Sequence, residues 1–234
     1  MKVQFLSLLI LSVLSFTSCT TISYTPKVNL DVSPRTIQKS VMVEKLEDFS
    51  PEKDRDNPLG GFSATNPKAL SGDLAVEITN AIVTDFATNG VFATVSRQVE
   101  NPDYVMRGEI KRFVGKSRPT GYYWASTAIY SVGVGIGAGT VPPNATALAL
   151  GTLPMMGVIL GVPVRRNLSE IEIELKLYDK AGNLLSTYTG KGQETMPMSI
   201  YNNAQLALPS QTNKAFSQAI MQIRKQILDD SKLN

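Results

Sequence analysis

From Pro119 to Val164 the chain carries no Asp, Glu, Lys or Arg. No other feature restricts its fold as strongly, because so long an uncharged run has to be covered by something other than water. Glycine alternates with apolar residues from Gly133 to Gly139, and "PPN" at Pro142 to Asn144 divides the run. Read as helices, the arms are Tyr122 to Val141 and Ala145 to Val164, each about twenty residues, a length that crosses a hydrocarbon core. Lys116 and Arg118 stand before the run, Arg165 and Arg166 after it, and Tyr122, Tyr123 and Trp124 at its entry. Basic and aromatic residues of this kind mark a membrane interface. Gly133 with Gly137, Gly135 with Gly139, and Gly157 with Gly161 are small-xxx-small pairs, which let helix backbones approach.

Other properties of the run favour different structures. Glycine, valine and threonine are poor helix formers in water. Strict alternation also suits a strand whose bald face accepts another backbone. Pro154 and Pro163 interrupt the second arm. Three readings stay open: a Gly-rich insertion completing its own domain's core, a membrane hairpin, or an oligomer seam. In the last, each subunit lends strands to a closed ring without edges.

The chain opens "MKVQFLSLLILSVLSFTSCTT". Lys2, the apolar run Phe5 to Leu14 and the small residues Thr17 and Ser18 form a secretory signal over 1–18. Cys19, the sole cysteine, follows directly, so no intrachain disulfide is available. These residues resemble the lipobox of bacterial lipoproteins, with Phe16 where that family usually has Leu. The resemblance implies cleavage before Cys19, lipid (palmitate) on Cys19 and attachment to a membrane of the cell envelope. Thr20, in place of Asp, implies the outer membrane, facing the periplasm.

Residues 19–38 read as the lipidated cysteine and a polar tether containing Pro26 and Pro34. "SVMVEKLED" reads as a strand with Val41, Val43 and Lys45 on one face and Met42 and Leu46 on the other. A loop from Phe49 to Ala69 follows. Ser71 is the expected cap of a helix with Asp73 in its first turn; Leu74, Ile78, Ala81, Ile82 and Phe86 form its stripe and Asn89–Gly90 its stop. "VFATVSR" is a short strand. In "DYVMRGEIKRFVG", Tyr104, Met106, Gly108 and Ile110 share a face. In "NLSEIEIELKLYDKAGNLLSTYTGK", Ile171, Ile173, Leu175 and Leu177 alternate with charged residues, and Gly182 serves the turn of a hairpin. Phe216, Ala219, Ile220, Ile223 and Ile227 stripe a closing helix.

The expected fold is α+β: a small mixed or antiparallel sheet with two helices packed on one face, plus an apolar Gly-rich hairpin insertion. The periplasmic domain is expected over 39–118 and 165–230, with 119–164 inserted. The lipobox, the helix after Ser71, "DYVMRGEI" and "EIELKLYDKAGNLL" resemble a loose group of envelope lipoproteins. These are the transport-auxiliary, YajG-type and TolB amino-terminal-like lipoproteins. The insertion alone resembles the glycine-zipper hairpins of outer-membrane lipoproteins. The resemblance implies a non-catalytic accessory in envelope assembly, integrity or transport.

Chemistry is thinly represented. Histidine is absent, which removes the usual general base and zinc ligand and any Ser-His-Asp arrangement. No enzyme, cofactor or metal is expected. A net charge of +3 without a basic stripe argues against nucleic acid as a partner. "GVGIGA" fits a loose dinucleotide fingerprint but lacks an acid at the right distance. Asp73 with Glu77, and Glu170, Glu172 and Glu174, read as solvated acids rather than cation sites. Lys111, Arg112, Lys116, Arg118, Arg165 and Arg166 suit either solubility or anionic headgroups. The expected membrane or partner contacts are Trp124, Gly133, Gly135, Gly137, Gly139, Gly157, Gly161, Arg165 and Arg166. The expected partners are the membrane through Cys19 and an envelope protein or a homo-oligomer. Two rival functions are a ring-forming export lipoprotein and a module binding lipid or another hydrophobic ligand.

Overall fold

In the computed structural model, residues 23–139 and 145–233 are described, and Cys19 lies outside them. Among the described residues, seven strands form one mixed sheet. They are β1 (Ile37–Val43), β2 (Glu47–Asp48), β3 (Phe62–Ser63), β4 (Phe92–Ser96), β5 (Tyr104–Pro119), β6 (Arg165–Asp179) and β7 (Leu184–Met198). The main order is β4-β1-β5-β6-β7, with β2 and β3 also pairing along β5. β1 is parallel to both β4 and β5, and a parallel pairing needs a crossover. Helix α1 (Leu74–Thr88) supplies it between β3 and β4. β5, β6 and β7 then run antiparallel in long register. Helices α2 (Gly121–Gly139) and α3 (Ala145–Ile159) stand between β5 and β6, and α4 (Ala204–Asp229) closes the chain.

The alternation in β6 determines the layering. Ile171, Ile173, Leu175 and Leu177 are buried with Phe216, Ala219, Ile220 and Ile223 of α4, while α1 adds Ile78, Ile82 and Phe86 to the same cluster. Both helices therefore cover one face, as expected. Phe113 and Phe216 meet edge-on at 5.5 Å across the sheet–helix boundary. The other face is a charge ladder: Lys176 meets Glu109 at 2.8 Å and Glu174 at 3.1 Å, and Lys191 meets Glu172 at 2.9 Å. Glu170 pairs with Arg112. The acidic run is thus neutralised by bases on β5, β6 and β7, and the described residues hold no acidic or cysteine cluster arranged for a metal. Such exposed pairs contribute little stability each, about 0–1 kcal/mol.

The structure corrects several local expectations. The cap of α1 is Asp73, whose carboxylate accepts the Val76 N–H at 3.0 Å, not Ser71. That bond, with Lys45 nearby, holds the Asp73 carboxyl below its usual range. Leu46 joins the core instead of the far face, because β1 ends at Val43 and the Leu46 N–H turns in to the buried Thr79 hydroxyl. A bulge between Ile110 and Arg112 resets the alternation of β5, which is how Ile110 and Phe113 are both fully buried. The loop after Phe49 contributes β3 and lays Phe62 on the sheet.

The expected tether is the largest of these differences. Described residues from Ser23 to Arg35 lie along the domain as a strap. Tyr24 is 1% exposed, bridges to Leu70, and donates its hydroxyl to Asn213 Oδ1 at 3.0 Å. The N–H groups of Lys27 and Asn29 donate to Asn213 and to Ser217 Oγ, each at 2.9 Å. Arg224 donates to the carbonyl of Asp31 at 2.8 Å. The strap runs parallel to α4, from Asn213 towards Arg224. A polar, proline-marked segment reads as a linker when its hydrogen-bond partners are distant in sequence.

Candidate functional site

The uncharged run forms a side-by-side pair of helices at one end of the sheet. Its root is closed by Thr120, whose N–H donates to the Val164 carbonyl and whose hydroxyl donates to the Pro163 carbonyl, both at 2.9 Å. Poor intrinsic propensity is overcome by close packing. A Cβ built on Gly133 would stand 2.3 Å from the Gly151 Cα, and one on Gly151 would stand 2.7 Å from the Gly133 Cα. The helices cross where neither has a side chain. Gly151 has no glycine four residues away, so glycine spacing alone does not point to it. Ala147, one turn earlier, was the available signal.

The other expected contact residues separate into distinct roles. A Cβ at Gly157 would meet the Tyr122 ring, and the Tyr122 hydroxyl donates to the Pro154 carbonyl. Gly161 ends α3 in the left-handed region at φ +90°. Gly137 is buried, while Gly135 and Gly139 have open space where a side chain would be. Trp124 packs edge-on against Tyr123 and is 45% exposed. Arg165 lies over the Phe62 ring at 5.6 Å. Arg166 is exposed and directly opposite Arg118 in the β5–β6 register. Neither has an acidic partner among the described residues, and like charges placed opposite one another repel.

Two readings of the run are corrected here. No helix of the described residues is long and apolar enough to cross a membrane. α2 opens with Tyr122, Tyr123, Trp124, Ser126 and Thr127, and α3 stops at Ile159 because Gly161 and Pro163 end it. Nor does "GTLPMMGVILGVP" complete the core. Among the described residues, the buried core cluster takes none from either helix. Instead Val132, Ile136, Leu150, Leu153 and Leu160 are each more than half exposed. An outward groove of about 430 Å³ runs between the helices, lined by Ala128, Ile129, Val132, Ala147 and Leu150 with the crossing glycines. "GVGIGA" lies inside α2 rather than at a strand-to-helix turn, so it has no phosphate-binding geometry.

Gly133→Val pushes α2 and α3 apart while the sheet and its two helices keep their core. Overpacking costs about 1–3 kcal/mol, confined here to the helix pair. Limited proteolysis should therefore cut the pair about tenfold faster, with the global unfolding midpoint unchanged. A lowered global midpoint would instead make the pair part of the domain's cooperative unit.

No protein-family model matches the sequence, and no curated protein matches it. Among solved structures, protein XCC0632 from Xanthomonas campestris, of family DUF330, is similar at 14% identity and a TM-score of 0.47. The match covers 88% of this chain and 94% of that one. A PelC dodecamer from Paraburkholderia phytofirmans is similar at 12% identity and a TM-score of 0.32, covering 81% and 94%. Lipoprotein GNA1162 from Neisseria meningitidis is similar at 11% identity and a TM-score of 0.27, covering 82% and 100%.

Proposed function

We propose that this chain is a lipid-anchored, periplasm-facing envelope protein, held by acyl groups on Cys19 at the outer membrane. It acts by position, as a non-catalytic accessory in envelope assembly, integrity or transport. The observation that carries the reading is the strap. It binds the chain to the domain from Tyr24 onward, five residues after the sole cysteine. A lipid on Cys19 would thus hold the domain close to the bilayer rather than on a long free linker. The charge ladder then becomes the surface offered to envelope partners.

Acyl chains stabilise membrane attachment by about 0.8 kcal/mol per buried methylene. Cys19→Ala is expected to abolish labelling by radioactive palmitate and to leave the signal uncleaved at this site. The check is labelling in growing cells followed by immunoprecipitation. Unchanged labelling and processing would remove the anchor from the proposal.

A further inference from the structure

We infer that the α2–α3 pair is itself a membrane contact, seated to part of its depth in the leaflet that carries the Cys19 lipid, with Arg118 and Arg166 on lipid phosphates. Four observations converge on a bilayer rather than a protein as the occupant.

The first is direction. α4 starts at the helix-pair end, where Ala204 accepts from Asn167 near the start of β6, and runs away from it. The strap runs the same way, from Tyr24 beside Asn213 to Asp31 beside Arg224. Asn213 is nine residues into α4, about 14 Å from its start at 1.5 Å per residue. Cys19 precedes Tyr24 by five residues, and five residues span at most about 18 Å. The first described residues of the strap thus lie on the side of the helix pair, and an anchor on Cys19 is within reach of that end.

The second is the shape of the apolar surface. Tyr130, Val132 and Ile136 on α2 and Leu150, Met156 and Ile159 on α3 are exposed, and at 3.6 residues per turn they spread over about half of each helix rather than along one stripe. A protein partner covers one stripe of a helix, whereas an apolar solvent covers every side. The third is the polar boundary. Trp124 lies at the root, where aromatic residues sit at the headgroup level. The fourth is charge. Arg118 and Arg166 face each other without an acidic partner among the described residues, and the sequence has no acid between Glu109 and Glu170. A lipid phosphate supplies the missing anion to both. Among the described residues neither helix is both long and apolar enough to cross, so the contact is with one leaflet.

The inference builds on the anchor reading but is tested without it. The probe is Trp124, the only tryptophan. The full chain carrying Cys19→Ser is mixed with vesicles of phosphatidylcholine and phosphatidylglycerol bearing bromine at defined acyl depths. The expected result is a blue shift and quenching strongest for the shallowest bromine. Ile136→Asp with Leu150→Asp, both at exposed positions, should abolish it. Arg118→Gln with Arg166→Gln should reduce binding to the mixed vesicles about tenfold and leave binding to pure phosphatidylcholine unchanged. Two results would overturn the inference: emission unaffected by vesicles in the folded protein, or a blue shift that grows with protein concentration without lipid, which would mark a seam between copies. Failed palmitate labelling with positive quenching would remove the lipid anchor and keep this contact.

Discussion

Gly192→Val destabilises the domain by about 3–5 kcal/mol, seen as a lower denaturant midpoint with an unchanged slope. A Cβ at Gly192 would lie 1.8 Å from the Ala215 carbonyl oxygen, and one at Gly190 would lie 2.0 Å from that of Ala219. Both obstacles are helix backbone, which cannot swing aside. α4 sits directly on β7, and these two glycines let it approach. Lifting α4 opens the contacts of Phe216, Ala219, Ile220 and Ile223 together, all fully buried. Interiors packed like crystals lose dispersion steeply with small separations. Gly182→Ala is the contrasting control. That glycine has φ +84° and open space around it, so only the left-handed backbone cost of about 1–2 kcal/mol applies. Equal midpoints for the two variants would show that α4 tolerates being lifted.

Arg224→Leu is the second large effect, a loss of about 3–5 kcal/mol. Arg224 and Asp85 are 7% and 4% exposed, and their charged atoms are 3.6 Å apart. Arg224 also donates to the Asp31 carbonyl, tying the strap to α4. The substitution removes both interactions and leaves a buried carboxylate facing leucine. Burial already pushes the Asp85 carboxyl above its ordinary value, against the opposing pull of Arg224 and of the Asn89 amide. The folded pKa is thus raised over the unfolded one. Its protonated form favours folding fully below the unfolded pKa, and that contribution is lost as pH rises through the folded pKa. Without Arg224 the shift widens, so the variant's deficit should shrink as pH falls from 7 towards 4. Urea titrations at both values test this. Asp85→Leu combined with Arg224→Leu should recover most of the loss by removing the unpaired charge. A deficit independent of pH would assign the effect to the strap alone.

How much of this was legible in the sequence follows from how local each cause is. The β6–β7 hairpin and the α1 and α4 stripes are written in periodicity, because each residue's face follows from its own position along the strand or helix. The residues around Cys19 are equally local. The strap reads as a linker in the sequence because its partners, Asn213 and Arg224, lie far along the chain. The small-xxx-small pairs were visible, but not which glycine meets which. The contact is Gly133 with Gly151, fixed by how two helices cross.

Local pattern alone is enough to read an α+β domain interrupted by a long uncharged run, and a cysteine set directly after an apolar stretch. Periodicity and composition are properties of neighbours, so they survive without a fold. Long-range packing sets the helix pair outside the core and lays the strap along α4 with its first described residues on the side of the helix pair. It also sets Arg118 opposite Arg166 across two strands. These depend on the direction and register of segments far apart in the chain, which packing sets and no local pattern encodes.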